Sequence, residues 1–122
     1  MNDETLLHRQ VNPTWIKFGM VTSQLFKPTT KDKKFVSVYD GDQITAKDSH
    51  IHYTKILLLP SVGVMAVTIE DCVNFQLEVQ LNPAPFPEHV EIDFSKFTNS
   101  QIDSRAKKLR AAAVSRGWQY SI

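Results

Sequence analysis

A chain of 122 residues is enough for one domain and short for two. With 42% hydrophobic residues, 22% charged residues and a net charge of +1, it is built like an ordinary globular protein, which argues against disorder and against a strongly basic nucleic-acid binder. One cysteine, Cys72, excludes an intrachain disulfide and suits a reducing compartment.

Met1-Asn2-Asp3-Glu4 is polar and acidic, the wrong start for a secretory or transit peptide. The longest apolar runs, residues 56–59 and 62–67, are far too short to span a bilayer. A cytoplasmic protein with no membrane partner is expected. Leu6 to Val11 reads as the first strand, stopped by Asn12-Pro13. A basic loop from 27 to 34 carries Lys27, Lys31, Lys33 and Lys34 against Asp32. Phe35 to Tyr39 is rich in β-formers and apolar on both faces, and Asp40-Gly41-Asp42 is the turn that ends it. Thr45 caps a helix running to about Leu58, with His52, Ile56 and Leu59 on one side. Gly63 to Thr68 is apolar on both faces, the pattern of a central strand. Thr68 with Asp71 caps a short helix through Phe75, on which Cys72 is a packing residue.

Leu77, Val79 and Leu81 alternate with Glu78 and Gln80, and Val90, Ile92 and Phe94 alternate with His89, Glu91 and Asp93. Both segments read as half-buried strands. Between them, residues 82–87 hold three prolines and form a rigid connection. The C-terminal helix, 98–116, carries the clearest signature. Thr98 and Gln101 make a capping box, and Ile102, Ala106, Leu109 and Ala113 form one apolar stripe. Gly117 suits the helix stop, and Trp118, Tyr120 and Ile122 alternate as a last short strand. Strands and helices mix without strict alternation. The expected fold is α+β, a single domain over 1–122, with a mixed or mostly antiparallel sheet and two or three helices.

Most recognised catalytic signatures are absent. Four scattered glycines, Gly19, Gly41, Gly63 and Gly117, build no phosphate loop, and Ser23 sits in no Gly-x-Ser-x-Gly elbow. Asp48 and His52 share a helix face but need a third ligand, such as Asp40, Asp42 or His8, before they hold a metal. Their ordinary reading is a capping-turn carboxylate and a hydrogen-bonded histidine, so no metal and no cofactor are expected. Cys72 has no His partner nearby in sequence, and a nucleophile needs access and a depressed pKa, so a packing role is expected. The basic residues of the last helix flank its apolar stripe, the usual solvated arrangement, so nucleic acid has weak support as a partner. Polar side chains set within strand-like segments are harder to dismiss. His8, Arg9, Ser23 and Tyr39, with Asp40, would form a cleft if their strands pair. Enzymes that transfer ADP-ribose combine similar residue types.

The pattern His8-Arg9-Gln10-Val11 with Pro13, Thr22-Ser23 with Phe26 and Pro28-Thr29, Asp32, and Ser37-Val38-Tyr39-Asp40-Gly41-Asp42 resembles a family of small uncharacterised bacterial proteins. The likeness continues through residues 63–68, 86–94 and 100–102 to Gly117-Trp118. It implies a bacterial, stand-alone domain and no chemistry. Two functional expectations follow. The first is an accessory protein, adaptor or antitoxin-like, that binds a protein partner or itself through aromatics such as Trp15, Phe18 and Phe86. The alternative is a small nucleotide- or nucleic-acid-directed enzyme with its cleft around His8, Arg9, Ser23 and Tyr39.

Overall fold

The fold comes from a computed structural model that describes residues 1–29 and 34–122. Lys31, Asp32 and Lys33 of the basic loop lie outside the described residues. Among the described residues, eight strands and three α-helices follow in the order β1 (Leu6–Gln10), β2 (Ile16–Lys17), β3 (Met20–Val21), β4 (Phe35–Asp40), α1 (Ala46–Ile51), β5 (Gly63–Thr68), α2 (Ile69–Asn74), β6 (Glu78–Leu81), β7 (His89–Asp93), α3 (Asn99–Arg116) and β8 (Tyr120–Ser121). Six of the strands make one sheet in the order β6-β7-β4-β1-β5-β8, and every neighbouring pair is antiparallel. This is the expected α+β class, with the sheet antiparallel throughout.

Helix α3 seals one face of the sheet. Its stripe of Ile102, Ala106, Leu109 and Ala113 is buried, together with Leu7, Val11, Val36, Val38, Met65, Val67, Val90, Ile92 and Phe94 from the strands. A fully buried leucine or phenylalanine contributes about 1.5–3 kcal/mol, so this face carries most of the stability. Both expected capping boxes form. Thr68 accepts from the Asp71 amide while Asp71 accepts from the Thr68 amide, and Thr98 and Gln101 do the same at the start of α3. Arg105, Arg110 and Arg116 reach from α3 to the main-chain carbonyls of Phe75, Val21 and Ala66. They thus tie the helix to its surroundings rather than forming a basic stripe.

Two expectations are corrected. The helix from Thr45 does not run evenly to Leu58: α1 stops at Ile51 and passes into a single π turn, His52–Ile56. The extra residue in that turn rotates the chain, so His52 faces the sheet while Ile56 and Leu59 face out. The strand β5 is not central but next to the edge, covered on its outer side by the two-residue β8. Residues 16–21 form a small hairpin in which β2 pairs with β3. Phe18 and Gly19 turn it with φ of 52° and 76°, the two positive values of a type I′ turn. Strands of two residues carry no periodicity to read.

Candidate functional site

Side chains alternate across a strand, so β1 sends Leu7, Arg9 and Val11 one way and His8 and Gln10 the other. The register then assembles the second face. His8 lies opposite Tyr39, and Tyr39 lies opposite His89. Helix α1 and its π turn cover this face through polar contacts. Gln10 Nε2 donates to Ser49 Oγ at 2.9 Å, Ser61 Oγ donates to Gln10 Oε1 at 2.9 Å, and Tyr39 Oη meets His52 Nδ1 at 2.7 Å. His50 Nε2 lies 2.9 Å from the Ser61 carbonyl. All four histidines of the chain, His8, His50, His52 and His89, are therefore on the side of the sheet away from α3.

A cleft opens where two strands part. β1 and β4 pair only at Leu7 with Asp40 and His8 with Tyr39. Beyond that point Arg9 fills the gap. Its Nε donates to the Leu25 carbonyl at 2.7 Å and its Nη1 to the Ser37 carbonyl at 2.9 Å, and its guanidinium lies 4.9 Å over the Trp15 ring. The cleft holds about 430 Å³ and is lined by Arg9, Trp15, Ser37, Tyr39, Phe86 and His89 among others. Phe86 stacks on Tyr39 at 5.0 Å and lies 4.7 Å from the His52 ring. Burial raises the Tyr39 phenol above its usual value, with Tyr53 and Glu88 adding to the shift. Tyr39 thus keeps its proton and is available as a donor to His52. His89 is held from both sides: Nδ1 lies 2.8 Å from the Asn82 carbonyl and Nε2 lies 3.0 Å from Ser37 Oγ.

The structure brings some of the sequence candidates together and separates others. Arg9, Tyr39, Trp15 and Phe86 line the same cleft. His8 is buried at the Gly41 turn and does not line it. Ser23 opens a 3-10 turn, Ser23–Phe26, and faces Lys107 and Arg110 of α3, so the sheet stands between it and His8. Phe18 projects from the tip of the β2–β3 hairpin on that same side. The expected convergence of His8, Ser23 and Tyr39 does not occur. Alternation along β1 sends His8 to one face, while the 3-10 turn packs Leu25 and Phe26 into the core on the other.

Asp40 serves its turn, accepting from the Asp42 amide and from Gln43 Nε2. Asp48 lies exposed in the first turn of α1, while His52 is engaged with Tyr39. Among the described residues no three His, Cys, Asp or Glu side chains come together as a metal cluster. Burial, with Asp71 beside it, pushes the Cys72 thiol up to about 12, which keeps it protonated. Sequence reasoning missed the Ser37–His89 and Tyr39–His52 pairs. His89 alternates with Val90 and so reads as outward-facing. The proline connection folds Phe86 back over the sheet and against the His89 ring.

His8 carries a pH signature. Its Nδ1 is buried without a hydrogen-bond partner, and burial lowers its pKa, although the Ile44 backbone and the Asp40 carboxylate pull the other way. A lowered folded pKa means that the unfolded chain binds the proton first as pH falls. Stability is then full above the unfolded value of 6.5 and is lost as pH drops from there toward the folded value. The urea midpoint of the wild type is expected to fall across that window, and less steeply in His8→Gln. Identical slopes would count against this assignment.

No protein-family model, no curated protein and no solved structure matches this chain. No helix among the described residues is long and apolar enough to cross a membrane.

Proposed function

We propose that the chain is a bacterial, cytoplasmic accessory protein that acts by binding a protein partner, with the β1–β4 cleft as the seat. The observation that carries this reading is the run beside the cleft. Ile56, Leu57, Leu58 and Leu59 are 68%, 38%, 79% and 44% exposed, four consecutive apolar side chains in water. Contiguous exposed apolar surface marks interaction sites. Burying such surface contributes about 25 cal/mol per Å². Leu57 and Leu59 also line the cleft, so the run and the aromatic walls of Trp15, Tyr39 and Phe86 form one continuous surface. Rigid aromatics in a pocket are the usual anchors of a protein interface. The proposed occupant is a separate protein that seats an apolar or aromatic side chain between Trp15 and Phe86 and covers the leucines. The cytoplasmic setting rests on a single buried, reduced cysteine, and the bacterial source on the resemblance of the His8-to-Asp42 pattern.

The alternative enzyme around His8, Arg9, Ser23 and Tyr39 has no single cleft to act in. It therefore gains no support from the geometry. The partner proposal is tested by affinity capture from the native host with the wild type, Leu58→Asp and Phe86→Ala. The wild type is expected to retain a stoichiometric partner, and each variant to retain at least tenfold less. Light scattering on the purified chain detects a self-dimer. Equal capture by all three proteins, or a dimer with no second protein, would overturn the proposal.

A further inference from the structure

We propose that Ser37 and His89 form a catalytic dyad, and that the cleft hydrolyses small carboxylic esters bearing an apolar or aromatic group. This goes beyond partner binding and needs no partner to operate. The geometry is that of an activated nucleophile. The Asn82 carbonyl has no proton to give, so His89 Nδ1, 2.8 Å from it, carries the hydrogen of the neutral ring. Nε2 is then the basic nitrogen, and it accepts from Ser37 Oγ at 3.0 Å. The two residues reach each other diagonally across β4 and β7, because Ser37 pairs with Glu91 and Tyr39 pairs with His89. His89 is buried and locked in place, while Ser37 is exposed to the cleft that both residues line. A base fixed in tautomer and orientation beside an accessible hydroxyl meets the geometric requirement for acyl transfer.

The surroundings set the substrate class. Phe86 lies 5.1 Å from the His89 ring, edge on, and with Tyr39, Leu57 and Leu59 it makes an apolar wall for a hydrocarbon or aromatic group. The Arg9 guanidinium donates to the Ser37 carbonyl at 2.9 Å, so a positive charge is held against the backbone of the proposed nucleophile. The Ser37 amide leaves β4 on the same side as that carbonyl, toward the gap left by β1. Both favour the negative oxygen of a tetrahedral intermediate.

In the first half-reaction, Ser37 Oγ bonds to the ester carbonyl carbon as its proton passes to His89 Nε2. The carbon–oxygen bond to the leaving alcohol then breaks, and that proton goes to the alcohol oxygen. In the second, water attacks the acyl-serine and gives a proton to His89. The carboxylic acid leaves, and the proton returns to Ser37 Oγ. The balance is ester plus water to acid plus alcohol. A carbonyl orients the imidazole but stabilises imidazolium less than a carboxylate would, so a slow enzyme is expected.

The test uses the purified full chain with p-nitrophenyl butyrate as substrate and a fluorophosphonate as covalent probe. The expected result is one adduct per chain by intact mass, mapped to Ser37. Ester hydrolysis is expected to fall at least 100-fold in Ser37→Ala and in His89→Gln, and to stay unchanged in Ser23→Ala. Because His89 is buried, His89→Gln is scored only if its unfolding midpoint matches the wild type. Exposed Ser37→Ala stands without that condition. A probe adduct on another residue, no adduct at all, or a Ser37→Ala rate equal to wild type would overturn the dyad. Those outcomes leave capture of a protein partner by Leu58-dependent contacts untouched, so the two proposals fail separately.

Discussion

Phe94→Ala is expected to cost about 3–5 kcal/mol of folding stability, a large part of the roughly 5–15 kcal/mol available to a domain of this size. Phe94 closes β7 and is among the largest fully buried side chains, set in the core that α3 covers. Its removal takes away apolar burial and leaves a void that the surrounding strands and helix close only in part, because the interior is packed like a solid. Urea unfolding checks this. The midpoint should drop sharply while the slope against denaturant stays constant, since the same surface is exposed on unfolding. Ser37→Ala, on the opposite face and open to solvent, is expected to cost no more than about 1 kcal/mol, the value of the lost hydrogen bond to His89. A cost below about 1 kcal/mol for Phe94→Ala would mean that stability is not concentrated on the α3 face.

Gly41→Ala is expected to cost about 2–3 kcal/mol. Gly41 is not among the glycines with positive φ, so the loss does not come from a forbidden backbone. It comes from space. A Cβ at this position would run into the Leu6 carbonyl oxygen and lie 3.1 Å from His8 Nε2. That carbonyl already accepts from the Gly41 amide at 2.8 Å, so neither backbone can withdraw without giving up the bond. The strain falls beside the two paired positions of β1 and β4, Leu7 with Asp40 and His8 with Tyr39. Thermal and urea unfolding should both show the loss, and trypsin should cut the variant faster at Arg9. A variant as stable as wild type would show that the turn can shift away from β1.

Much of the fold is legible because its signals are local. Thr98 with Gln101 and Thr68 with Asp71 announce their helices through capping bonds three residues apart. The stripe Ile102, Ala106, Leu109 and Ala113 names its own buried face, and Val90, Ile92 and Phe94 name theirs. The π turn at His52–Ile56 is not legible, because it differs from a helix by one residue and shows only in how Tyr39 and the sheet receive it. The β2–β3 hairpin is lost for lack of length, although Gly19 marks its turn.

The candidate site divides in the same way. Arg9, Tyr39, Trp15 and Phe86 stand out by residue type and do share the cleft. His8 and Ser23 stand out equally and do not, since a side chain's face depends on which strand pairs with which, and at what register. Asp40-Gly41-Asp42 reads correctly as a turn, yet the need for glycine there arises from β1 passing against it. Class, helices, caps and the apolar face were written in the chain itself, because each rests on neighbours within one turn or one strand. The parting of β1 and β4, the gathering of all four histidines on one face, and the pairing of Ser37 with His89 across 52 positions of sequence were decided only by the tertiary structure. They arise from strand order and register, which are set by the packing of the whole sheet rather than by any one segment.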